Sequence, residues 1–306
     1  MDIPAKHQGL HSAEYFGSQR DFWWNQDYLA LIARRLDLVG ARHVLDVGSG
    51  LGHWGRAILP HLSVEATVTG VDREPQWVGL AGEIAAARGI AERVRYVQGE
   101  AERLPFADGE FDLVTCQTLL LHVRDYKAVV REMMRVLRPG GRLLVVEPNN
   151  MAGALMRVSM EPRAGLEDRL KLVRFQAICE CGKEQAGGGN NSTGDRLPGL
   201  FAELGLTDLE VYQSDRAFPL VPPYATAAQQ ALKEQILDWA ERKIWIWNER
   251  DTRRYFIAGG GPDSEFSELW TLALASVQRE ANGLREGTYH CAGGSVIYLV
   301  SALTPR

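Results

Sequence analysis

His43-Val44-Leu45-Asp46-Val47-Gly48-Ser49-Gly50-Leu51-Gly52-His53-Trp54-Gly55 decides the fold. The run from His43 to Val47 is short and apolar, and Val and Leu suit a strand covered on both faces. Glycines at 48, 50 and 52 then let the backbone turn sharply and approach a ligand where a side chain would obstruct it. From Trp54 to Leu59 a helical rhythm resumes, ended by Pro60. Strand, glycine turn and helix open a nucleotide-type site at the carboxyl edge of a parallel sheet.

Outward from this stretch, strands and helices alternate. Ala66 to Asp72 reads as a second strand ending in an acid, and Pro75 to Arg88 as a helix with Gly89 beyond its end. Arg93 to Val97 and Phe111 to Thr115 read as strands, and Tyr126 to Leu137 as a helix with apolar Val129, Val130, Met133 and Leu137. Arg138-Pro139-Gly140-Gly141 reads as a turn before a strand from Arg142 to Glu147. This order implies a Rossmann-like, doubly wound α/β fold with a seven-stranded, mostly parallel sheet. The second half is less regular. It offers helices at 166–178, 197–204, 223–250 and 263–283, a sixth strand leading from Leu206 to Tyr212, and a last one at Ser295 to Val300. The expected organisation is an N-terminal helical cap segment (1–40), a cofactor-binding core (41–150), an irregular insertion with the sixth strand (151–215), a helical cap insertion (216–290) and a final core strand (291–306).

The chain has 306 residues, 45% of them hydrophobic and 24% charged, as in an ordinary globular protein. A net charge of -5 argues against a nucleic-acid partner. No secretory start and no apolar run of about 18 residues is visible, which points to a cytoplasmic protein without membrane contact. Four cysteines in this length make no disulfide framework. Cys179-x-Cys181 lacks a second pair at zinc-like spacing, so ordinary thiols and no metal site are expected.

Asp72 lies roughly 20 residues past the glycine turn, the distance that puts a carboxylate at the adjacent strand end to accept from ribose hydroxyls. The glycine spacing is Gly-x-Gly-x-Gly, not the Gly-x-Gly-x-x-Gly of dinucleotide sites. Asp46 places an acid just before the turn, unsuited to a pyrophosphate and suited to a ligand with a cationic end. No Tyr-x-x-x-Lys pair of a short-chain reductase occurs.

Val44 to Gly52 resembles the first motif of class I S-adenosylmethionine-dependent methyltransferases. Gly70-Val71-Asp72, Gly99 to Phe106, Phe111 to Val114 and Arg135 to Arg142 match further motifs in the same order. Leu104-Pro105-Phe106 and Leu137-Arg138-Pro139-Gly140-Gly141 are similar to the small-molecule branch typified by ubiquinone/menaquinone-biosynthesis methyltransferases. The resemblance implies S-adenosyl-L-methionine as cofactor. It implies Asp46, Gly48, Ser49 and Gly50 at the methionine part and ribose, Asp72 with Arg73 at the ribose, Glu100 and Ala101 at the adenine, and Gln117 toward the methionine end. Many relatives carry Asp where this chain has Glu100.

His122 matches a histidine common in that branch and is the candidate general base; its other reading is a histidine that caps the next helix. Arg20 could pair with the cofactor carboxylate or lie in solvent. Tyr15, Trp23 and Trp24, with Asn149, are the candidate acceptor-binding residues, although a helix packing its aromatics on the core explains the first three as well. Ile244-Trp245-Ile246-Trp247 reads as a buried helix seam, and Pro222-Pro223 as a proline start to a cap helix. The expected function is methyl transfer to O or N of a small, apolar or aromatic acceptor by in-line displacement, with a homodimer as the candidate assembly. Alternatives are C-methylation of a quinol-like molecule, an NAD(P)-dependent reductase and a non-catalytic cofactor-binding protein.

Overall fold

A computed structural model describes residues 17–155 and 165–306. The chain divides into two compact units. One comprises Trp24–Asn149, Ser192–Asp215 and Ile297–Arg306; the other comprises the described residues within Met1–Trp23, Asn150–Asn191 and Arg216–Val296.

The first unit holds a seven-stranded sheet: β1 (His43–Val47), β2 (Thr67–Asp72), β3 (Val94–Gln98), β4 (Phe111–Gln117), β5 (Leu137–Pro148), β6 (Thr207–Gln213) and β7 (Ile297–Leu303). Their order is β3-β2-β1-β4-β5-β7-β6, with β7 antiparallel to both its neighbours and the other pairs parallel. The strand order reverses between β1 and β4, and such a switch point opens a crevice at the carboxyl ends of the strands. The expected Rossmann-like sheet is therefore present, and its first strand has the bounds read from sequence.

Side-chain alternation gives the sheet two faces. Leu45, Val47, Val114, Cys116, Leu143 and Val145 meet Val129, Val130, Met133 and Val136 of the helix Tyr126–Val136 in one fully buried cluster. Each such side chain contributes roughly 1.5–3 kcal/mol by leaving water, which fixes that helix on β4 and β5. The helix begins at Asp125, whose carboxylate accepts from the Ala128 amide at 2.9 Å. On the opposite face Trp54 donates to the Thr115 hydroxyl at 2.8 Å, and Thr115 in turn donates to the Leu144 carbonyl.

Local readings needed correction where a turn or break sits inside a longer element. Residues 138–141, read as a turn before the strand, lie inside β5: Gly140 has φ 72°, and the register with β4 shifts across them, from Phe111 with Leu137 to Leu113 with Arg142. Near the N-terminus a 3-10 turn at Ser18–Phe22 is followed by a separate helix, Gln26–Arg35. Asn25 between them is extended and donates to the Asp215 carboxylate at 3.1 Å.

In the second unit the helix Leu166–Gln185 crosses Glu249–Ala258 at glycines: a Cβ on Gly182 would lie 1.7 Å from the Tyr255 carbonyl oxygen. Cys179 is buried beside that crossing and Cys181 is exposed. The helix expected over 223–250 is two helices, Ala227–Glu241 and Glu249–Ala258. Lys243 is left-handed (φ 54), and Asn248 caps the second helix through the Asp251 amide. The Ile244 to Trp247 run is thus an irregular connection; Ile244 and Trp247 are buried, and Trp245 stacks on Phe175 at 5.0 Å. Pro222-Pro223 does not start the preceding helix, because Thr226 and Gln229 form a reciprocal capping box there.

Candidate functional site

The carboxyl ends of β1 and β2 are joined by the glycine turn. Gly48 and Ser49 amides both donate to the Val71 carbonyl, at 2.8 and 3.0 Å, which draws the turn over the end of β2. Gly48, Gly50 and Gly52 have φ of 67, 50 and 74°, a region that penalises any side chain. The Gly50 amide then reaches the Asp72 carboxylate at 2.9 Å, and the Glu74 amide takes the other oxygen at 3.0 Å. Both oxygens keep lone pairs for further donors. Burial raises the Asp72 carboxyl above its ordinary range, against the two amides that lower it.

Asp46 is buried at the end of β1 and accepts from the Gly55 amide at 3.0 Å, fastening the helix His53–Ile58 to the strand. Burial pushes its carboxyl up to about 7, and the neighbouring Asp72 charge adds to that. The Ser49 hydroxyl is buried without a hydrogen-bond partner among the described residues. It lies 2.8 Å from where a Gly70 Cβ would sit, on the β2 side of the turn.

Gln117 ends β4 and is half-buried. Thr118 next to it takes a left-handed φ of 51° while its amide donates to the Val146 carbonyl at 2.9 Å. The following segment hangs on Glu147. This fully buried carboxylate accepts from the amides of Leu119 (2.7 Å), Leu120 (2.8 Å) and Leu121 (3.2 Å), so it fixes the 3-10 turn Leu120–His122. His122 ends that turn, half-buried. Leu119 also touches the glycine turn, since a Cβ on Gly48 would come within 2.6 Å of its Cδ1. Glycine turn, Asp72, Gln117 and the His122 turn therefore form one continuous rim.

The other expected site residues are placed as follows. Gly99 donates to the Asp72 carbonyl at 3.0 Å, which puts Glu100 and Ala101 beside Asp72; Glu100 is exposed and Ala101 packs on the core. Arg73 is exposed and pairs with Glu74 at 3.2 Å. Asn149, half-buried, follows the end of β5. Trp24 is 7% exposed and packs its ring on Tyr28 and Trp54, inside the sheet unit's core. Arg20 and Trp23 belong to the second unit, where the guanidinium stands 4.8 Å over the Trp23 ring. Tyr15 lies outside the described residues. Sequence reasoning missed Glu147 and Tyr96; a lone acid closing the apolar run Leu143 to Val146 was the available signal for the first.

Among the described residues no helix is long and apolar enough to cross a membrane, and no group of three or more His, Cys, Asp or Glu is placed to hold a metal.

Comparison with known proteins bears on residues 45–145, which match a family model described as a methyltransferase domain. An uncharacterized methyltransferase of Bacillus subtilis, YcgJ, is 36% identical over 136 residues, covering 44% of this chain and 52% of the relative. The ubiquinone biosynthesis O-methyltransferase of Xanthomonas oryzae pv. oryzae is 32% identical over 162 residues, covering 47% of this chain and 64% of the relative. The chain thus spans about half to two thirds of the length of these curated relatives. A solved putative methyltransferase from Bacillus halodurans shares the fold, with a TM-score of 0.51 at 20% identity over 92% of this chain and 100% of that one.

Proposed function

From the methyltransferase domain that residues 45–145 carry, we propose that this protein is an S-adenosylmethionine-dependent methyltransferase acting on a small organic acceptor. One observation carries the reading: Asp72, pinned by the Gly50 and Glu74 amides at the end of β2, presents a carboxylate beside a left-handed glycine turn. When bound, the cofactor supplies a methyl group already activated on a sulfonium. The residues present suit it. Asp72 has free lone pairs for ribose hydroxyls, Ser49 has a buried hydroxyl to offer, and two carboxylates raised by burial favour a positive charge nearby. The Gly-x-Gly-x-Gly spacing, in place of the Gly-x-Gly-x-x-Gly of dinucleotide sites, disfavours the reductase alternative.

Asp46, Gly48, Ser49, Gly50 and Asp72 are the proposed holders of the cofactor, with Arg73, Glu100, Ala101 and Gln117 around them. His122 is the proposed base, held at the rim by the Glu147-anchored turn. A neutral imidazole there would take a proton from an acceptor hydroxyl or amine as it attacks in line. Alignment and exclusion of water supply the remainder of the rate. Similarity to a ubiquinone biosynthesis O-methyltransferase favours oxygen as the acceptor atom. Arg20, Tyr15, Trp23 and Asn149 stay proposals for the cofactor carboxylate and the acceptor, as do a cytoplasmic setting and a homodimer.

The test is turnover of methyl-labelled cofactor against a panel of phenols, amines and quinols. Label transfer that falls about 100-fold or more in His122→Asn supports both the activity and the base. Transfer unaffected by that substitution removes His122 from the chemistry, and absence of transfer from every acceptor, with cofactor bound, favours a non-catalytic binding protein.

A further inference from the structure

Under the glycine turn the sheet presents one row of facing positions: Tyr96 on β3 opposite Gly70 on β2, and Gly70 opposite Asp46 on β1. The Tyr96 ring lies across two glycines. A Cβ on Gly70 would come 2.4 Å from its Cδ1, and a Cβ on Gly52 would come 1.9 Å from its hydroxyl oxygen. Neither distance is open to a real side chain, so strand and turn both close on the same ring. The Tyr96 hydroxyl is buried beside the Arg56 guanidinium, which donates to the Leu51 carbonyl within the turn and lies 3.2 Å from His53 Nδ1.

We infer that Tyr96 is a positioning residue for the cofactor site, a prop that sets the height of residues 48–52 over β2. The inference rests on the cofactor reading of that turn. Val71 draws the Gly48 and Ser49 amides toward the strand at the near end of the turn, and the Tyr96 ring fills the space beneath Gly52 at its far end. At the resulting height the Gly50 amide meets Asp72 at 2.9 Å. Without the ring the turn gains alternative positions, and affinity falls by the fraction of time it leaves the competent one.

The experiment measures binding of S-adenosylhomocysteine by calorimetry, with hydrogen exchange at the turn amides, on wild type, Tyr96→Phe, Tyr96→Ala, Gly70→Ala and the Tyr96→Ala/Gly70→Ala pair. Tyr96→Ala should weaken binding about tenfold and speed exchange at Gly48 to Gly50, while Tyr96→Phe, which keeps the ring, stays within about twofold of wild type. Gly70→Ala should also weaken binding. The pair should weaken it by less than the product of the singles, because the smaller residue at 96 makes room for the new methyl. Where Tyr96→Ala does not fold, Tyr96→Leu carries the same comparison. A folded Tyr96→Ala or Leu that binds like wild type, or singles whose effects simply multiply, overturns the inference alone. Wild type that does not bind S-adenosylhomocysteine overturns the cofactor reading and the inference with it.

Discussion

Removing the Glu147 carboxylate tests how the His122 turn is held. Its two oxygens satisfy three backbone amides, at 2.7, 2.8 and 3.2 Å, in a place with no exposed surface. Glu147→Ala leaves all three donors without that acceptor. At roughly 1–3 kcal/mol for each buried unsatisfied group, three of them cost about 3–9 kcal/mol, and water entering the vacated space brings the loss toward about 3 kcal/mol. Glu147→Gln keeps one oxygen for Leu119 and Leu120 but turns an NH2 toward Leu121, so about 2 kcal/mol is expected. Urea unfolding followed by tryptophan fluorescence should rank wild type above Gln and Gln above Ala. Exchange of the 119–121 amides should accelerate in the same order. The opposing effect is the desolvation cost of a buried charge, which a neutral amide avoids. A Glu147→Gln variant as stable as wild type, with unchanged exchange at 119–121, would mean desolvation wins and the three-amide anchor contributes little.

Three further outcomes follow from the site's geometry. Asp72→Asn replaces a charged acceptor by a neutral one, so binding of S-adenosylhomocysteine should weaken by about 1.5–3 kcal/mol, roughly 10- to 150-fold; an unchanged isotherm counts against Asp72 as the ribose acceptor. The folded protein holds the Asp46 proton up to about pH 7, whereas the unfolded chain releases it near 3.9, so this contribution to stability is full below about pH 4 and lost as pH rises through about 7. That contribution is on the order of 4 kcal/mol, and Asp46→Asn should flatten the decline seen in urea unfolding between about pH 4 and pH 7; an equal slope in both proteins refutes the assignment. Thr115→Val removes the acceptor of Trp54 and the donor to Leu144, both buried, and should lower the unfolding free energy by roughly 1–3 kcal/mol. A loss under about half of one kcal/mol in that measurement would show that the pair is not buried as described.

What sequence conveyed, and what it did not, divides along chain distance. β1, the glycine turn and Asp72 were legible because composition, spacing and strand end lie within one short stretch. The helix Tyr126–Val136 was legible from its apolar period alone. Arg138 to Gly141 carries turn chemistry, yet only the pairing of Phe111 with Leu137 shows that β5 has already begun. Lys243 carries no signal for the left-handed break that splits the helix expected over 223–250. Glu147 and Tyr96 take their meaning from partners across neighbouring strands and turns, 26 residues away for both Glu147–Leu121 and the Gly70–Tyr96 register. Aromatic richness near the N-terminus likewise could not separate Trp24, a core residue, from residues that line a ligand.

On the function proposed above, the turn at 48–52 with Asp72 accepts a sulfonium nucleoside and not a dinucleotide. Titrating the wild-type protein in parallel with S-adenosylhomocysteine and with NADPH tests it most directly. Saturable one-site binding of S-adenosylhomocysteine, with no heat from NADPH, is the expected result; saturable NADPH binding without S-adenosylhomocysteine binding would contradict the claim.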